Sequence, residues 1–210
     1  MFARLFKPAA ESQTQQSISI AFEKVNTQES KGSSKFIQTT ATTIENIVDK
    51  GAGKALGELL TSTEKVNVVE VKGKGGSRYD PGTKTIYWNP KRAIVTTNGT
   101  KLSPASGLNH EADHAADAIK DPIGHAARTN TPDPNYDNAE EKRVIQGSEQ
   151  STSFLLGETK QGQTTRTDHD AVQIIITKDP MSTKGKTINL PGTLPPVIIK
   201  SKPKKNHESD

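Results

Sequence analysis

Apolar residues recur along this chain in two periods, and each period marks a different kind of element. Leu108, Ala112, Ala115 and Ile119 fall on one stripe of a 3.6-residue helix. Ser103 is a good N-cap and Pro104 suits the first helical position, so that helix is predicted to open there. Residues 41–60, from Ala41 to Leu60, carry a second helical pattern, weakened by Gly51, Gly53 and Gly57. A third helix is predicted from Asn138 to about Leu156, with Asp137 as N-cap and Gly157 as its stop.

β-branched runs supply the other period. Val66–Val71 reads as a strand ending at Gly73, Gly75 and Gly76. Asp80-Pro81-Gly82 predicts a turn in which proline sets φ and glycine takes the positive φ that follows. Thr85–Trp88 is the return strand, stopped by Asn89-Pro90, so a hairpin leads towards the Ser103 helix. Asn98-Gly99-Thr100 is a glycosylation sequon on paper and more simply a turn. After the Ser103 helix, Asp121-Pro122 and a polar loop run to Tyr136. Asp170–Thr177 is a strong strand that pairs with Thr187–Leu190. The class is α+β: a small sheet or hairpin with helices around it.

Composition narrows what this pattern can be. Only 30% of the 210 residues are hydrophobic, which fits one domain with polar ends. Residues 1–40 read as a linker, 41–190 as the domain and 191–210 as a Pro/Lys-rich disordered tail. The absence of cysteine excludes disulfides, thiolate metal sites and a cysteine nucleophile, so any metal must be held by His, Asp or Glu. No stretch is apolar enough to span a bilayer, and the first residues lack the apolar core of a signal peptide. The net charge of +4 owes much to Lys200, Lys202, Lys204 and Lys205. With no aromatics interleaved, that cluster reads as a solvated tail rather than a nucleic-acid surface. The glycines at 73, 75 and 76 are not followed by Gly-Lys-Ser/Thr, which excludes a phosphate loop.

The chemistry sits on the Ser103 helix, in His110-Glu111-Ala112-Asp113-His114. Histidines four positions apart on a helix share a face, where two imidazoles can converge on one zinc ion. Glu111 beside them is placed as general base. A catalytic zinc needs a third protein ligand. The histidine-type option would require a histidine at position 120, which is Lys120, and His125 reads as a loop histidine at the wrong spacing. Glu140 and Glu141 remain. Asp137-x-x-Glu140 resembles a capping box that would fold Glu140 back to the helix N-terminus. Glu141 shares its face with Val144 and Ile145 and is the favoured ligand, with Glu140 the runner-up. Asp133, within Thr131-Pro-Asp-Pro-Asn-Tyr136, is a third and weaker candidate. Asp117 is positioned to accept the second ring proton of His114. Arg166 and His169 in a downstream polar loop are candidates to stabilise an oxyanion, ahead of Tyr87 and Tyr136.

Three runs together resemble zincin metallopeptidase domains. They are Ile86-Tyr-Trp-Asn-Pro90, Ser103-Pro-Ala-x-x-Leu108-x-His-Glu-x-x-His114-Ala, and Tyr136-Asp-Asn-x-Glu-Glu-Lys-Arg-Val-Ile145. More narrowly they are similar to the effector-type peptidases at the C-termini of bacterial Rhs-repeat and related polymorphic toxins. Arg166-Thr-Asp-His169 looks like that family's downstream Arg-x-x-His element. The resemblance covers about residues 66–170. It implies a zincin-like fold and a zinc-dependent endopeptidase, with His110 and His114 as ligands, Glu111 as base and a downstream glutamate as third ligand. It also implies a bacterial effector or toxin, resident in the cytoplasm or delivered from it, that meets a protein or peptide substrate and a cognate immunity protein. Asn109 and Asp113 depart from it, adding polarity where such helices carry apolar residues. The alternative expectation, from a different class, is a non-catalytic metal-binding or interaction module.

Overall fold

A computed structural model describes residues 34–191. The linker expected over 1–40 lies mostly outside them, as does the tail expected beyond 191. The α+β class is observed.

The N-terminal helical pattern forms two helices, α1 (Ser34–Asp49) and α2 (Lys54–Thr61). Helix α1 begins at Ser34, within the stretch expected to be linker, because Phe36 joins Ile44 and Ile47 on its buried face. The glycines do more than weaken one helix: Gly51, at φ +69°, ends α1, with Ala52 N–H donating to the Ile47 carbonyl. A parallel pair, β1 (Asn67–Glu70) with β3 (Thr85–Trp88), gains β2 (Arg78–Asp80) antiparallel on the other side of β3. The β2–β3 turn differs from the expectation at one residue. Asp80 caps it by accepting from Gly82 N–H, and the positive φ falls on Lys84 instead of Gly82.

A second sheet runs β5-β4-β8-β9, all antiparallel, from β4 (Arg92–Thr96), β5 (Lys101–Leu102), β8 (Ala171–Ile176) and β9 (Lys186–Asn189). Strand β4 was not anticipated from the pattern, although Gly99 at φ +84° makes the expected turn after it.

Helix α3 (Pro104–Lys120) opens as expected, with Ser103 Oγ accepting from Ser106 N–H. Leu108, Ala112 and Ala115 are fully buried and pack the helix against α2 and β3. Trp88 closes the same core, its indole N–H donating to the Pro104 carbonyl at 2.8 Å. The small alanines let α3 lie close to its neighbours, which fixes the direction in which its histidines point.

The stretch read as a polar loop is instead helix α4 (Pro122–Thr129), capped by Asp121, whose carboxylate accepts from Gly124 N–H. A short pair, β6 (Pro132–Asp133) with β7 (Asp137–Asn138), leads into α5 (Ala139–Val144), a π segment (Ile145–Glu149) and α6 (Gln150–Leu155). The cap of α5 is Asn138, accepting from Glu140 and Glu141 N–H; Asp137 lies outside the helix at φ +66°. Among the described residues no helix is long and apolar enough to cross a membrane.

Candidate metal centre

The core-facing stripe of α3 turns its other face to α5, and there the two histidines meet. His110 Nε2 and His114 Nε2 are 3.2 Å apart. Glu141 Oε2 lies 3.1 Å from the first and 3.3 Å from the second. His169 Nε2 is 3.3 Å from the same oxygen.

The opposite ring nitrogens are held from behind. His110 Nδ1 donates to Glu149 Oε2 at 2.9 Å, and His114 Nδ1 to Glu140 Oε1 at 3.1 Å. Both glutamates are 2% exposed, so each carboxylate is committed to its ring and to arginines. Glu149 receives Arg166 Nε at 3.0 Å, and Glu140 receives Arg128 Nε at 2.7 Å and Arg143 Nη2 at 2.6 Å. With Nδ1 of each ring committed to a carboxylate, both Nε2 atoms face each other and the Glu141 carboxylate, where each can carry a proton or ligate a cation. Two ring nitrogens and a carboxylate closing on one point are satisfied by positive charge there, supplied by ring protons or by a metal ion. The donor set fits a divalent ion with nitrogen and oxygen ligands.

The titration behaviour has the same cause. Burial opposes charge on His114, but Glu140, Glu141 and Glu111 outweigh it and raise its pKa to about 10. Burial likewise works against Glu141, yet the three histidines hold its carboxyl far below the ordinary range. Glu111 is the exception among these carboxyls. Burial pushes its pKa up, with Glu141 adding to the rise and His110 and His114 opposing it. A carboxyl raised in this way, at 8% exposure and bordering two cavities, suits proton transfer.

Several expected roles fall on different residues. Glu140 does not fold back to its helix N-terminus as a capping box; it braces His114 from behind, because Asn138 has taken the cap. Asp117 does not reach His114 either: it accepts from His125 Nδ1 at 3.2 Å and pairs with Arg128. His125, expected on a loop, is a buried residue of α4, also 3.3 Å from Glu140 Oε1. Asp133 turns away, accepting from Asn135 and Tyr136 N–H and pairing with Lys142 at 2.9 Å. The guanidinium of Arg166, expected as an oxyanion donor, is spent on Glu149 and on the His169 carbonyl. Tyr87 stacks under Arg78, and the Tyr136 hydroxyl accepts from Gln146. His169 does reach the centre, its Nδ1 held by Asp137 Oδ2 at 2.5 Å. The two polar departures on α3 are anchors: Asn109 Nδ2 donates to Thr152 Oγ1 and Arg143 Nη1 to Asp113 Oδ1.

Glu149 was missed in the sequence, although a glutamate four positions after Ile145 on the inner face was the available signal.

A cleft runs past the centre. A cavity of about 330 Å³ on one side includes Arg92, His110 and Asp170 in its lining, and one of about 170 Å³ on the other includes Tyr79, His114 and Glu141. Ser77, Glu111 and His169 border both. A third cavity, about 520 Å³, continues from the second through Tyr79, Pro81, His125 and Thr129. Comparisons with protein-family models, curated proteins and solved structures return no match.

Proposed function

We propose that this protein is a zinc-dependent peptide hydrolase, with His110, His114 and Glu141 holding the ion and Glu111 as general base. The convergence of His110 Nε2, His114 Nε2 and Glu141 Oε2 within 3.1–3.3 Å, each ring braced by a buried carboxylate, carries this reading. Two imidazoles and one carboxylate are a usual ligand set for catalytic zinc. When bound, such an ion supplies Lewis acidity, polarising a carbonyl and acidifying water. Glu111 takes the proton of the attacking water and returns it to the leaving amine, as its raised pKa allows. His169, whose pKa Glu141 raises against the effect of burial, keeps a proton at Nε2 to donate to the developing oxyanion. Arg166 positions Glu149, and Glu149 positions His110. The cleft on both sides of Glu111 suits an extended peptide rather than a small molecule. The effector context comes from the resemblance and forms part of the proposal.

A second reading rests on His169. His110, Glu141 and His169 offer ligand atoms within 4.8 Å of one another, so His169 can complete a four-ligand site closed to substrate. With such a site the protein would be a non-catalytic metal module.

Elemental analysis of zinc-reconstituted variants separates the two. Glu141→Ala should fall well below one zinc per molecule, while Glu111→Gln should keep its zinc and lose about 10²–10⁴-fold in peptide hydrolysis. His169→Ala should keep zinc and lose turnover under the first reading; loss of zinc as severe as in Glu141→Ala selects the second. Full zinc retention in Glu141→Ala would remove Glu141 from the ligand set.

A further inference from the structure

Five arginines lie among the described residues: Arg78, Arg92, Arg128, Arg143 and Arg166. Four of them have partners. Arg78 lies 3.9 Å above the Tyr87 ring, Arg128 and Arg143 bond Glu140, and Arg166 bonds Glu149. Arg92 differs. The residue is half-buried, its Nε is sealed without a hydrogen-bond partner, and among the described residues no carboxylate faces its guanidinium. Burial alone depresses its pKa, with no neighbouring charge opposing the shift.

Strand β4 aims this cation at the candidate centre. Alternation along the strand sends Ala93 and Val95 into a cluster with Val172 and Ile175. Arg92 and Ile94 therefore point to the other side, where they line the 330 Å³ cavity together with Glu111 and His169. The glycine loop confines the guanidinium there. A Cβ added at Gly76 would lie 3.4 Å from Arg92 Nη1, so the loop backbone passes directly beside it. Asn89 fixes that loop, donating to the Gly73 and Gly75 carbonyls at 3.1 and 2.9 Å.

Half-burying a cation with its Nε sealed from water and no counter-charge is unfavourable, and nothing in the unliganded fold offsets it. A planar guanidinium held beside a reactive centre matches a carboxylate in bidentate fashion. We propose that Arg92 anchors a carboxylate of the peptide substrate in the half of the cleft bordered by Glu111, Ile94 and Asp170. This assignment rests on the hydrolase reading above. An acidic residue within a peptide and a free C-terminus offer the same group, and the test separates them.

The 210-residue chain, zinc-loaded, is assayed as wild type, Arg92→Gln and Arg92→Glu. The probes are two random decapeptide libraries, both N-acetylated, one ending in an amide and one in a free carboxyl. Wild type should cut the amide library at bonds with Asp or Glu at one fixed position. If the anchor is a C-terminus, it should instead cut only the free-carboxyl library, at a fixed distance from the end. Arg92→Gln should reduce that selectivity about tenfold or more, the loss expected for a charge-assisted hydrogen bond. Arg92→Glu should transfer selectivity towards Lys and Arg. Selectivity that survives in Arg92→Gln overturns the proposal and leaves the hydrolase reading intact. If wild type cuts neither library, the hydrolase reading fails, and calorimetric titration with glutarate judges Arg92 alone. Saturable binding weakened about tenfold in Arg92→Gln upholds the carboxylate site; equal binding, or none, overturns it. The melting temperature supplies a control that a structural arginine would fail. It should hold or rise in Arg92→Gln, because a half-buried charge with no counter-ion is removed, and a clear fall overturns the proposal.

Discussion

A histidine pair on one helical turn can ligate a metal ion only when something fixes which nitrogen carries the proton. Here Glu149 and Glu140 do so, and each is in turn held by arginine. Burial pulls the Glu149 carboxyl up, but Arg166 and His110 outweigh it and hold it at about 2, so it stays charged throughout the neutral range. Glu149→Ala would leave Arg166 charged and buried with no counter-ion and would free the His110 ring. Breaking a buried pair by removing one member costs about 3–5 kcal/mol, and loss of such a bracing carboxylate lowers metal affinity about 10–100-fold. Denaturant unfolding and competitive zinc titration should show both losses. An unchanged unfolding midpoint would mean that Arg166 does not depend on Glu149. At this scale the sequence was informative about type and poor about partner. Glu141 was preferred to Glu140 partly through a capping box that Asn138 replaces, whereas the motif on α3 followed from helical spacing. The bracing carboxylates did not, because each lies on another element and is recognised only by what it touches. Asp117 is the instructive case: it has the right spacing for His114, but Arg128 and His125 on α4 claim its carboxylate.

The element that delivers all three of these glutamates is irregular for a reason. Glu149 follows Glu141 by eight positions (149 − 141 = 8). In a regular α-helix about seven positions complete two turns, and eight overshoot by roughly 80°, which would turn Glu149 off His110. The π segment Ile145–Glu149 absorbs the surplus residue, so Glu141 and Glu149 both reach the His110 ring, at Nε2 and Nδ1. Deleting Gly147, which a regular helix of the same reach does not need, should preserve zinc stoichiometry and hold or raise the unfolding midpoint. Inserting one alanine after Gly147 should rotate Glu149 by about 100° and weaken zinc binding. Equal zinc affinity in the deletion and the insertion would show that the segment's phase is irrelevant. Hydrophobic periodicity predicted one unbroken helix here because a single π turn barely disturbs the pattern over so short a stretch. The same limit explains α4: its eight residues, Pro122–Thr129, expose most of one side, including Ile123 at 84%, and carry no apolar stripe to read. Some helix ends were legible, as Ser103-Pro104 and Gly157 show, whereas the caps at Asn138 and Asp121 were not.

Across the whole molecule, the centre is built where elements from distant parts of the sequence meet on α3, so stability and site geometry share contacts. Glu158 is one such closure. It follows α6 and accepts Ser103 N–H at 3.1 Å and the Ser106 hydroxyl at 2.6 Å, tying the end of the glutamate-bearing helices to the start of α3. Burial raises its pKa above the ordinary carboxyl value, although its hydrogen bonds with Ser103 and Ser106 work the other way. A raised folded-state pKa means that the native protein holds this proton more tightly than the unfolded one. The stabilisation is therefore complete below the unfolded carboxyl value of about 4.3 and is lost as pH rises through the higher folded one. Glu158→Gln removes the titration while keeping a group of the same shape. The wild-type melting temperature minus that of the variant should be most favourable to wild type near pH 4 and should decline by pH 7 to 8. The other carboxylates, including the strongly depressed Glu140 and Glu141, titrate in both proteins and cancel in the difference. A difference that is flat with pH would mean that folding leaves the Glu158 pKa unshifted, and one that grows in favour of wild type as pH rises would mean that Glu158 is stabilised as the charged form.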